Sequence, residues 1–312
     1  MAADLLLAVD GGGTRTRAAV ADLEGRVLAR GFGPGSNLQT VGLQAVGAAL
    51  TTAIEGALLQ LPGGIHKGEG PAWRSGRLAA ACFGLAGVDS KQDEAHIAAW
   101  VKDQAIAPKF AVLNDSELVL ACGTPDGVGV ALISGTGSIC LGRAKDGRTA
   151  RAGGWGPLVG DEGSGHELSV RALRLAVRTT DGRSSSPALL RAALAHFAQP
   201  DAQALVNHLH TPGTTPADIA SFGTTVVDLA AKGDADADQL VNDAVAELVT
   251  HVRVVMRALR LEKPPLALAG GVLRSQVRTL LVGALGEEIG PVTHVADPVA
   301  GAVTLARRML NG

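Results

Sequence analysis

Tyrosine is absent from this 312-residue chain, and all aromatic residues together make up only 3% of it. So few flat side chains leave little material for the stacking platforms on which proteins hold nucleic-acid bases. The formal net charge is −2, and neither acidic nor basic residues are collected into long runs. The composition therefore argues against a nucleic-acid partner and against an anionic membrane surface as a partner.

Cysteine is also scarce. Cys82, Cys122 and Cys140 are its only occurrences, and no two of them form a C-x-x-C pair. That spacing argues against disulfide bonds, structural zinc and iron–sulfur clusters. Residues 1–7 are too short and too uncharged for a signal peptide, and no apolar run approaches the ~20 residues that span a bilayer. These absences predict a soluble, cytoplasmic protein that has no membrane partner.

A glycine turn near the start of the chain is the most informative local pattern. The apolar residues 5–9 lead into Asp10, then Gly11, Gly12 and Gly13, then Thr14, and two further short strands are predicted after the turn. Glycine leaves backbone N–H groups unshielded, so such a turn can wrap closely round a phosphate. Asp10 is placed to hold a cation, directly or through water, while Thr14 offers a hydroxyl to a phosphate oxygen.

A partial copy of this pattern follows later in the chain. The apolar residues 131–133 lead through Ser134 into Gly135, Thr136 and Gly137, and another predicted strand follows at 139–142. One such turn alone would indicate an ordinary hairpin. Two copies in this order favour two related halves that face one ligand, with both turns binding phosphate.

Alternation of strands and helices predicts the fold class. The first half reads as three strands, helix, strand, helix, strand, which is typical of helices packed on a mixed sheet. The second half begins with three strands and then becomes mainly helical. Helical spacing predicts helices over residues 41–61, 93–101, 162–179, 186–197, 202–210, 216–232, 235–261, 275–287 and 298–310. The Gly- and Pro-rich residues 62–76 are predicted to form an exposed loop.

Six short motifs occur in one order along the chain. They are DGGGT at 10–14, LAG at 85–87, NDSE at 114–117, ISGTGS at 133–138, GGWGPLVGDEGS at 153–164 and LAGG at 268–271. Together they resemble the N-acetylglucosamine kinase branch of the actin, hexokinase and Hsp70-like ATPases, a branch that also includes the BadF-type ATPases. GGWG followed by GDEGS is the most specific part of the resemblance.

The resemblance implies both an architecture and a reaction. The expected fold is α/β, with two ribonuclease-H-like (actin/hexokinase-type) domains, an interdomain cleft, and a second domain enriched in helices. We place the domains at 1–114 plus 297–312 and at 115–296, and expect a homodimer. The implied reaction is in-line phosphoryl transfer from ATP, with Mg²⁺, to the 6-hydroxyl of N-acetylglucosamine.

Asp115 is the candidate catalytic base. It follows the predicted strand 110–113, and α/β sheets bind ligands at the carboxyl ends of their strands. A carboxylate there can accept the proton of a sugar hydroxyl as the bond to phosphorus forms. The alternative is that Asp115 or Asn114 simply caps the helix that begins near Ser116.

The resemblance assigns the other candidate residues by motif. ATP and its phosphates are expected at Gly11, Gly12, Gly13, Thr14, Gly135, Thr136, Gly137, Gly270 and Gly271, and Mg²⁺ at Asp10 through water. The amino sugar is expected at Asn37, Gly87, Asp115, Gly154, Trp155, Gly156 and Asp161. The structural alternatives are turn chemistry for Asn37, a strand-to-helix turn at 270–271, core packing for Trp155, and an acid in the first helical turn for Glu162, which ranks below Asp161 as a sugar ligand.

Several competing functions stay open. Glucosamine, N-acetylmuramic acid and N-acetylmannosamine are alternative substrates, although the GGWG and GDEGS motifs favour N-acetylglucosamine. A BadF-type ATPase acting on a partner protein is the alternative of another class, and the cysteine spacing argues against the branch that binds an iron–sulfur cluster. A sugar-responsive repressor would need a helix-turn-helix domain, for which Asp10 leaves too little preceding chain.

Overall fold

Ten strands and eleven helices carry the architecture within residues 3–61, 71–274 and 276–311, which the computed structural model describes. The strands are β1 (Leu5–Gly11), β2 (Arg15–Asp22), β3 (Val27–Pro34), β4 (Leu78–Leu85), β5 (Lys109–Asn114), β6 (Gly129–Ser134), β7 (Ser138–Arg143), β8 (Thr149–Gly153), β9 (Leu266–Ala269) and β10 (Val292–His294). The helices are α1 (Leu38–Leu58), α2 (Lys91–Asp103), α3 (Asp115–Gly123), α4 (Gly165–Thr180), α5 (Pro187–His196), α6 (Ala202–Leu209), α7 (Pro216–Ala220), α8 (Phe222–Ala231), α9 (Ala235–Leu259), α10 (Gln276–Leu285) and α11 (Val299–Asn311). Short 3₁₀ segments lie at Ala72–Ser75, Pro125–Gly127, Val272–Arg274 and Gly286–Glu288.

Each of two compact units is built on one five-stranded sheet. Unit 1 comprises Met1–Gly127 and Val295–Gly312, and unit 2 comprises Val128–His294. The strand order is β3-β2-β1-β4-β5 in unit 1 and β8-β7-β6-β9-β10 in unit 2. In both sheets the first two pairings are antiparallel and the last two are parallel. The two α/β domains predicted from the sequence are confirmed, and the partial repeat is seen as one topology used twice.

The limits of the two units differ from the predicted domain limits of 114 and 296. Helix α3 stays with unit 1 because it packs against α11 and β4. Leu118 on α3 is fully buried in the same apolar cluster as Ala302 and Ala306 of α11. The chain therefore leaves unit 1 only after α3, and it returns just before α11 to cover one face of the first sheet.

Helix α1 covers another part of that sheet. By length and composition it is apolar enough to cross a membrane, contrary to the expectation that no segment approaches such a span. Its backbone is not helical at Gly42 (φ 76°, ψ 164°), however, so the uninterrupted stretch covers only residues 43–58, less than the ~20 residues of a bilayer span. Leu50 and Ile54 are fully buried in one cluster with strand residues of unit 1. This helix is thus part of the core of unit 1.

Local signals were misjudged at several element ends. The predicted helix 235–261 ends at Leu259, because Arg260 adopts a left-handed conformation (φ 54°). The predicted helix 162–179 begins only at Gly165, and the helix 216–232 is two helices, α7 and α8. Strand β10 was not predicted, since three residues are too few for a recognisable alternation. Residues 62–70 of the predicted loop, and Ser275 of the predicted helix, lie outside the described residues.

A close backbone approach between β3 and α1 generates a stability prediction. A Cβ atom on Gly31 would collide with backbone atoms of Ala53 and Ala57, whereas one on Gly56 would lie 3.6 Å from the Gly31 Cα, at ordinary contact distance. We expect Gly31→Ala to lower the free energy of unfolding by about 1–3 kcal/mol through overpacking. Gly56→Ala, on the facing helix, should leave it unchanged or raise it, because alanine favours helix by ~1 kcal/mol over glycine.

Urea unfolding followed by circular dichroism, with both variants at equal concentration, measures this difference. Equal midpoints for the two variants would show that β3 and α1 can separate without cost, against the described packing.

Candidate active site

Three parallel strands of unit 1 deliver the first group of candidate residues to one edge of the sheet. Strands β1, β4 and β5 are neighbours and run parallel, with Asp10 opposite Gly84 and Gly84 opposite Leu113. Loops that follow parallel strands leave the sheet at the same edge. The DGGGT, LAG and NDSE motifs, distant in sequence, therefore lie side by side.

Backbone hydrogen bonds join these loops. The Ala86 N–H donates to the Gly11 carbonyl (2.7 Å), and the Ser36 N–H donates to the Gly12 carbonyl (3.0 Å). The Leu38 N–H in turn donates to the Ala86 carbonyl (3.1 Å). The glycine turn is thus braced by the LAG loop and by the loop before α1, and Thr14 at its tip is exposed.

Asn37 and Gly87 meet in this braced region, as the resemblance implies for two sugar ligands. A Cβ atom on Gly87 would collide with the Asn37 Oδ1, and the backbone of Gly87 is left-handed (φ 77°). Asn37 also caps α1, since its Oδ1 accepts from the Gln39 N–H (3.0 Å). The turn role considered for Asn37 is therefore present, together with its placement beside the glycine turn.

Asn114, and not Asp115, caps helix α3. Asn114 is the N-cap of α3, and its Oδ1 accepts from the Ser116 N–H (3.0 Å) and from the Ser116 hydroxyl (2.6 Å). The Asn114 amide donates to the Asp89 Oδ1 (3.0 Å), which fixes its orientation. Asp115 is the first residue of the helix. Its carboxylate is therefore not the group that satisfies the N-cap.

Electrostatics single out Asp115 among the acids of unit 1. Burial of its carboxyl, together with the negative charges of Asp10 and Asp89, raises its pKa from 3.8 to about 7. A carboxyl group with such a pKa can exchange a proton near neutral pH, which is what a general base requires. Asp89 itself was not singled out as a site residue from the sequence.

Asp10 lies in a charged network. Its Oδ2 accepts from the Arg17 guanidinium (3.1 Å), and the same guanidinium lies 3.9 Å from Asp297, which also pairs with Arg30 (2.6 Å). Burial raises the pKa of Asp10 to about 6, against the lowering effect of Arg17. Asp10 and Arg17 face each other across the β1–β2 hairpin. The hairpin register was therefore a signal by which Arg17 could have been found from the sequence.

A second group of motifs converges in unit 2, around the turn of the β6–β7 hairpin. The Gly135 N–H donates to the Gly137 carbonyl (2.9 Å) to close the turn. The first residues of α4 contact it, because the Gly165 N–H donates to the Gly135 carbonyl (2.8 Å) and the His166 N–H to the Thr136 carbonyl (3.2 Å). The structure thus connects the GTG turn directly to the start of α4, which follows the GDEGS motif.

The LAGG motif reaches the same place. Gly270 follows β9, which lies beside β6. Its backbone is left-handed (φ 104°), and a Cβ atom there would collide with the Ser134 carbonyl. A strand-end turn is therefore present, as the structural alternative proposed, and it lies against the GTG turn.

Asp161 lies against that turn. It is buried, its backbone is left-handed (φ 60°), and its Oδ1 accepts from the Ser138 N–H (3.3 Å). The Ser138 hydroxyl donates to the Glu162 carbonyl (2.7 Å). Glu162 is not in the first turn of a helix, since α4 begins at Gly165 with Ser164 as its N-cap. The alternative that Glu162 is an acid in the first turn of a helix is therefore wrong.

Trp155 does not pack in a core, so that alternative is wrong as well. Its side chain is 70% exposed, and Leu158 and Val159 of the same loop are 92% and 73% exposed. Gly154 and Gly156 on either side of it are left-handed (φ 73° and 82°). Glycine is the residue that adopts this conformation without strain. Residues 155–159 thus present an apolar surface to solvent.

One further residue beneath this segment was missed. His251 on α9 is buried, its Nε2 lies 3.8 Å from the Glu162 Oε2, and its Nδ1 has no hydrogen-bond partner within the described ranges. A Cβ atom on Gly153 would lie 3.1 Å from the imidazole. Burial lowers the pKa of His251, with Glu162 and Glu247 opposing that effect. Nothing near position 251 in the sequence signals this contact.

Comparison with known proteins finds one ATPase family and several amino-sugar kinases. Residues 7–306 match the BadF/BadG/BcrA/BcrD ATPase family. An N-acetylmuramic acid/N-acetylglucosamine kinase from Clostridium acetobutylicum is 32% identical over 272 residues, which are 86% of this chain and 86% of that protein. An N-acetyl-D-glucosamine kinase from Dictyostelium discoideum is 28% identical over 317 residues, 98% of each chain.

A solved structure extends the similarity to three dimensions. A protein from Chromobacterium violaceum, provisionally named an N-acetylglucosamine kinase, matches with a TM-score of 0.77 at 29% identity, over 97% of this chain and 99% of that one. The resemblance drawn from the six motifs is confirmed, and so is the actin/hexokinase-type fold that it implied. With a match that runs through both units, the chain belongs to the BadF/BadG/BcrA/BcrD ATPase family.

Proposed function

We propose that this protein is an ATP-dependent amino-sugar kinase that phosphorylates N-acetylglucosamine at its 6-hydroxyl. The observation that carries the proposal is the placement of Asp115, a carboxyl group with a pKa near 7, at the same sheet edge as the glycine turn of Asp10. The full-length similarity to amino-sugar kinases supports the substrate class. N-acetylmuramic acid and glucosamine are the alternative substrates.

Asp115 has the role of general base in this proposal. Its carboxylate accepts the proton of the attacking sugar hydroxyl as that oxygen bonds to the γ-phosphorus. Burial and the neighbouring acids raise its affinity for that proton. The protein otherwise contributes positioning, because phosphoryl transfer depends mainly on alignment and on neutralising the charge of the phosphates.

Phosphate binding is assigned to the two glycine turns, Gly11, Gly12, Gly13 and Thr14 in unit 1 and Gly135, Thr136 and Gly137 in unit 2. The adenosine end of ATP is assigned to Gly270 and Gly271, and a Cβ atom on Gly271 would meet nothing within 4 Å, which leaves space there. The amino sugar is assigned to Asn37, Gly87, Gly154, Trp155, Gly156 and Asp161, together with Asp115. The braced backbone around Gly12 and the convergence of three motifs at Gly135 support these assignments.

Mg²⁺ fits Asp10 as a partner held through water. Within the described residues, no three His, Cys, Asp or Glu side chains are grouped so as to hold a metal ion. Mg²⁺ keeps several waters and is usually bound by one or two carboxylates and the substrate phosphates. Asp10 is a buried carboxylate of raised pKa, which a nearby cation would stabilise in its charged form. When bound, the ion would neutralise phosphate charge.

The family match also favours a second candidate, an ATPase that acts on a partner protein. The same residues would then bind ATP, while the GGWG segment would have no sugar to bind. The proposed homodimer and cytoplasmic location are shared by both candidates. Light scattering after size-exclusion chromatography would measure the oligomeric state.

A coupled ADP-release assay separates the two candidates. The rate of ADP release by purified protein with Mg-ATP is measured without sugar and with N-acetylglucosamine, N-acetylmuramic acid, glucosamine or glucose added singly. We expect strong stimulation by N-acetylglucosamine and little by glucose, because the sugar site is assigned to an acylated amino sugar. ATP turnover that no sugar stimulates would contradict the kinase proposal and favour the partner-dependent ATPase.

Removal of the base tests the mechanism. Asp115→Asn keeps the shape of the side chain but cannot accept the proton, so we expect kcat to fall on the order of 10²–10⁴-fold while ATP still binds. Asp103→Asn, at the exposed end of α2, makes the same chemical change outside the site and should behave as wild type. An Asp115→Asn enzyme that retains most of its turnover would remove Asp115 from the role of base.

The raised pKa of Asp115 predicts the pH dependence of both rate and stability. kcat/KM should rise with pH through an acid limb near neutrality, and this limb belongs to Asp115 and Asp10 as a coupled pair. The apparent pKa of the limb should be lower when Mg²⁺ is saturating. For stability, the Asp115 carboxyl binds a proton more readily in the folded protein than in the unfolded chain between its ordinary pKa of 3.8 and about 7, so its contribution to the free energy of unfolding falls as pH rises through that window.

Melting temperatures of wild type and Asp115→Asn, measured at pH 5 and pH 8, check the sign. At pH 8 the melting temperature of Asp115→Asn should increase relative to that of wild type, because the variant no longer buries a charge. A loss relative to wild type at pH 8 would mean that the ionised carboxylate is stabilised by its surroundings.

A further inference from the structure

The GGWG segment has a backbone that needs support from elsewhere. Gly153, Gly154 and Gly156 are all left-handed, with φ of 71°, 73° and 82°. The Gly154 N–H donates to the Ser138 carbonyl (2.9 Å), which ties the start of the segment to β7. Backbone carbonyls in such a turn do not pair in a regular ladder, so each needs a donor from a side chain or from water.

Arg151, two residues before the segment on β8, supplies those donors. Its Nε donates to the Gly153 carbonyl (3.1 Å), and its Nη2 donates to the Gly154 carbonyl. A Cβ atom on Gly154 would lie 2.9 Å from that Nη2, so the guanidinium lies closely against the turn. The planar guanidinium can serve two carbonyls at once because its donors are fixed in one fork, which a lysine ammonium does not reproduce.

The same guanidinium reaches Trp155. Its Cζ lies 5.2 Å from the centroid of the indole ring, within the range of a cation–π contact. The Trp155 side chain is nevertheless 70% exposed, so most of the indole stays accessible while Arg151 holds it. One side chain thus restrains two carbonyls and one aromatic ring of a single exposed segment.

From this geometry we propose that Arg151 is a positioning residue that holds residues 153–155 in the shape that binds the amino sugar, with the accessible indole packing on the apolar face of the sugar or on its N-acyl group. The inference rests on the proposed kinase function and deepens it. Arg151 touches the segment, not the reacting atoms, so its loss should weaken sugar binding more than it slows phosphoryl transfer.

A purely structural role for Arg151 predicts something different. Strands β7 and β8 are already joined by their own ladder, from Ile139 opposite Gly153 to Arg143 opposite Thr149. The side-chain donors of Arg151 serve the carbonyl of Gly153, the last residue of that ladder, and the carbonyl of Gly154 beyond it. Loss of Arg151 should therefore leave the unfolding of unit 2 nearly unchanged, whereas a structural brace of the hairpin would lower its stability.

Steady-state kinetics of Arg151→Met and Arg151→Lys test the proposal, with Arg148→Met as the matched control. Arg148 is on the same hairpin and pairs with Asp146 at its far end, so the control removes an equal charge away from the segment. We expect KM for N-acetylglucosamine to rise on the order of 10-fold or more in Arg151→Met. KM for ATP and the melting temperature should stay near wild type. Arg151→Lys should be intermediate, and Arg148→Met should match wild type.

Tryptophan fluorescence supplies a second readout that does not depend on turnover. Of the three tryptophans, Trp73 is buried and Trp100 is half-buried, both in unit 1, whereas Trp155 is exposed. A sugar-dependent signal that Trp155→Phe abolishes therefore reports on the segment. The titration with N-acetylglucosamine should move to higher sugar concentration in Arg151→Met. Should that variant fail to fold, the same shift is expected, smaller, in Arg151→Lys.

The outcomes separate the inference from the function on which it rests. If no sugar stimulates ATP turnover by the wild-type protein, the proposed kinase function is contradicted, and the inference with it. Wild-type protein that is stimulated, with unchanged sugar KM and fluorescence titration in both Arg151 variants, overturns the positioning role alone. A fall in melting temperature with unchanged sugar KM assigns Arg151 to structure.

Discussion

Two carboxylates, the buried Asp10 and the half-buried Asp115, lie at one edge of the first sheet, and their negative charges are the constraint to which the neighbouring residues of unit 1 respond. Burial raises the pKa of both groups, to about 6 and about 7. An uncompensated buried charge is costly, so the surrounding elements have to supply compensation. Arg17 does so for Asp10 across the hairpin, and Asn114 takes over the capping of α3 that Asp115 would otherwise provide.

The architecture around these acids follows from the same constraint. Parallel strands β1, β4 and β5 bring both carboxylates to one edge, and helices α1 and α11 bury the apolar side chains of the sheet. Helix α11 comes from the end of the chain, and the segment before it provides Asp297, whose charge adds to the raised pKa of Asp10. The proposed base and the proposed cation site are thus tuned by residues from three distant parts of the sequence.

Unit 2 uses the same topology for a different purpose. Where the first hairpin pairs Asp10 with Arg17, the second pairs Ile133 with Ile139 and Ser134 with Ser138. Its turn is surrounded by backbone groups of α4 and of Gly270 and by the carboxylate of Asp161, in place of a charged pair. The repeat therefore divides the proposed chemistry. Unit 1 holds the acids of raised pKa, and unit 2 holds a glycine turn against Asp161 with an exposed aromatic segment beside it.

Local sequence patterns determined most of the strands and helices, and the six motifs are themselves such patterns. Strands such as β4 and β9 can be recognised from the sequence, because a short apolar run bounded by turn residues is a local property. The repeated glycine turn was likewise readable, and with it the fold class. Tertiary structure alone decided that α3 belongs to unit 1, that Trp155 is exposed, and that His251 lies beneath Gly153. These features arise from contacts between residues far apart in the chain, and neither periodicity nor turn chemistry carries information about such contacts.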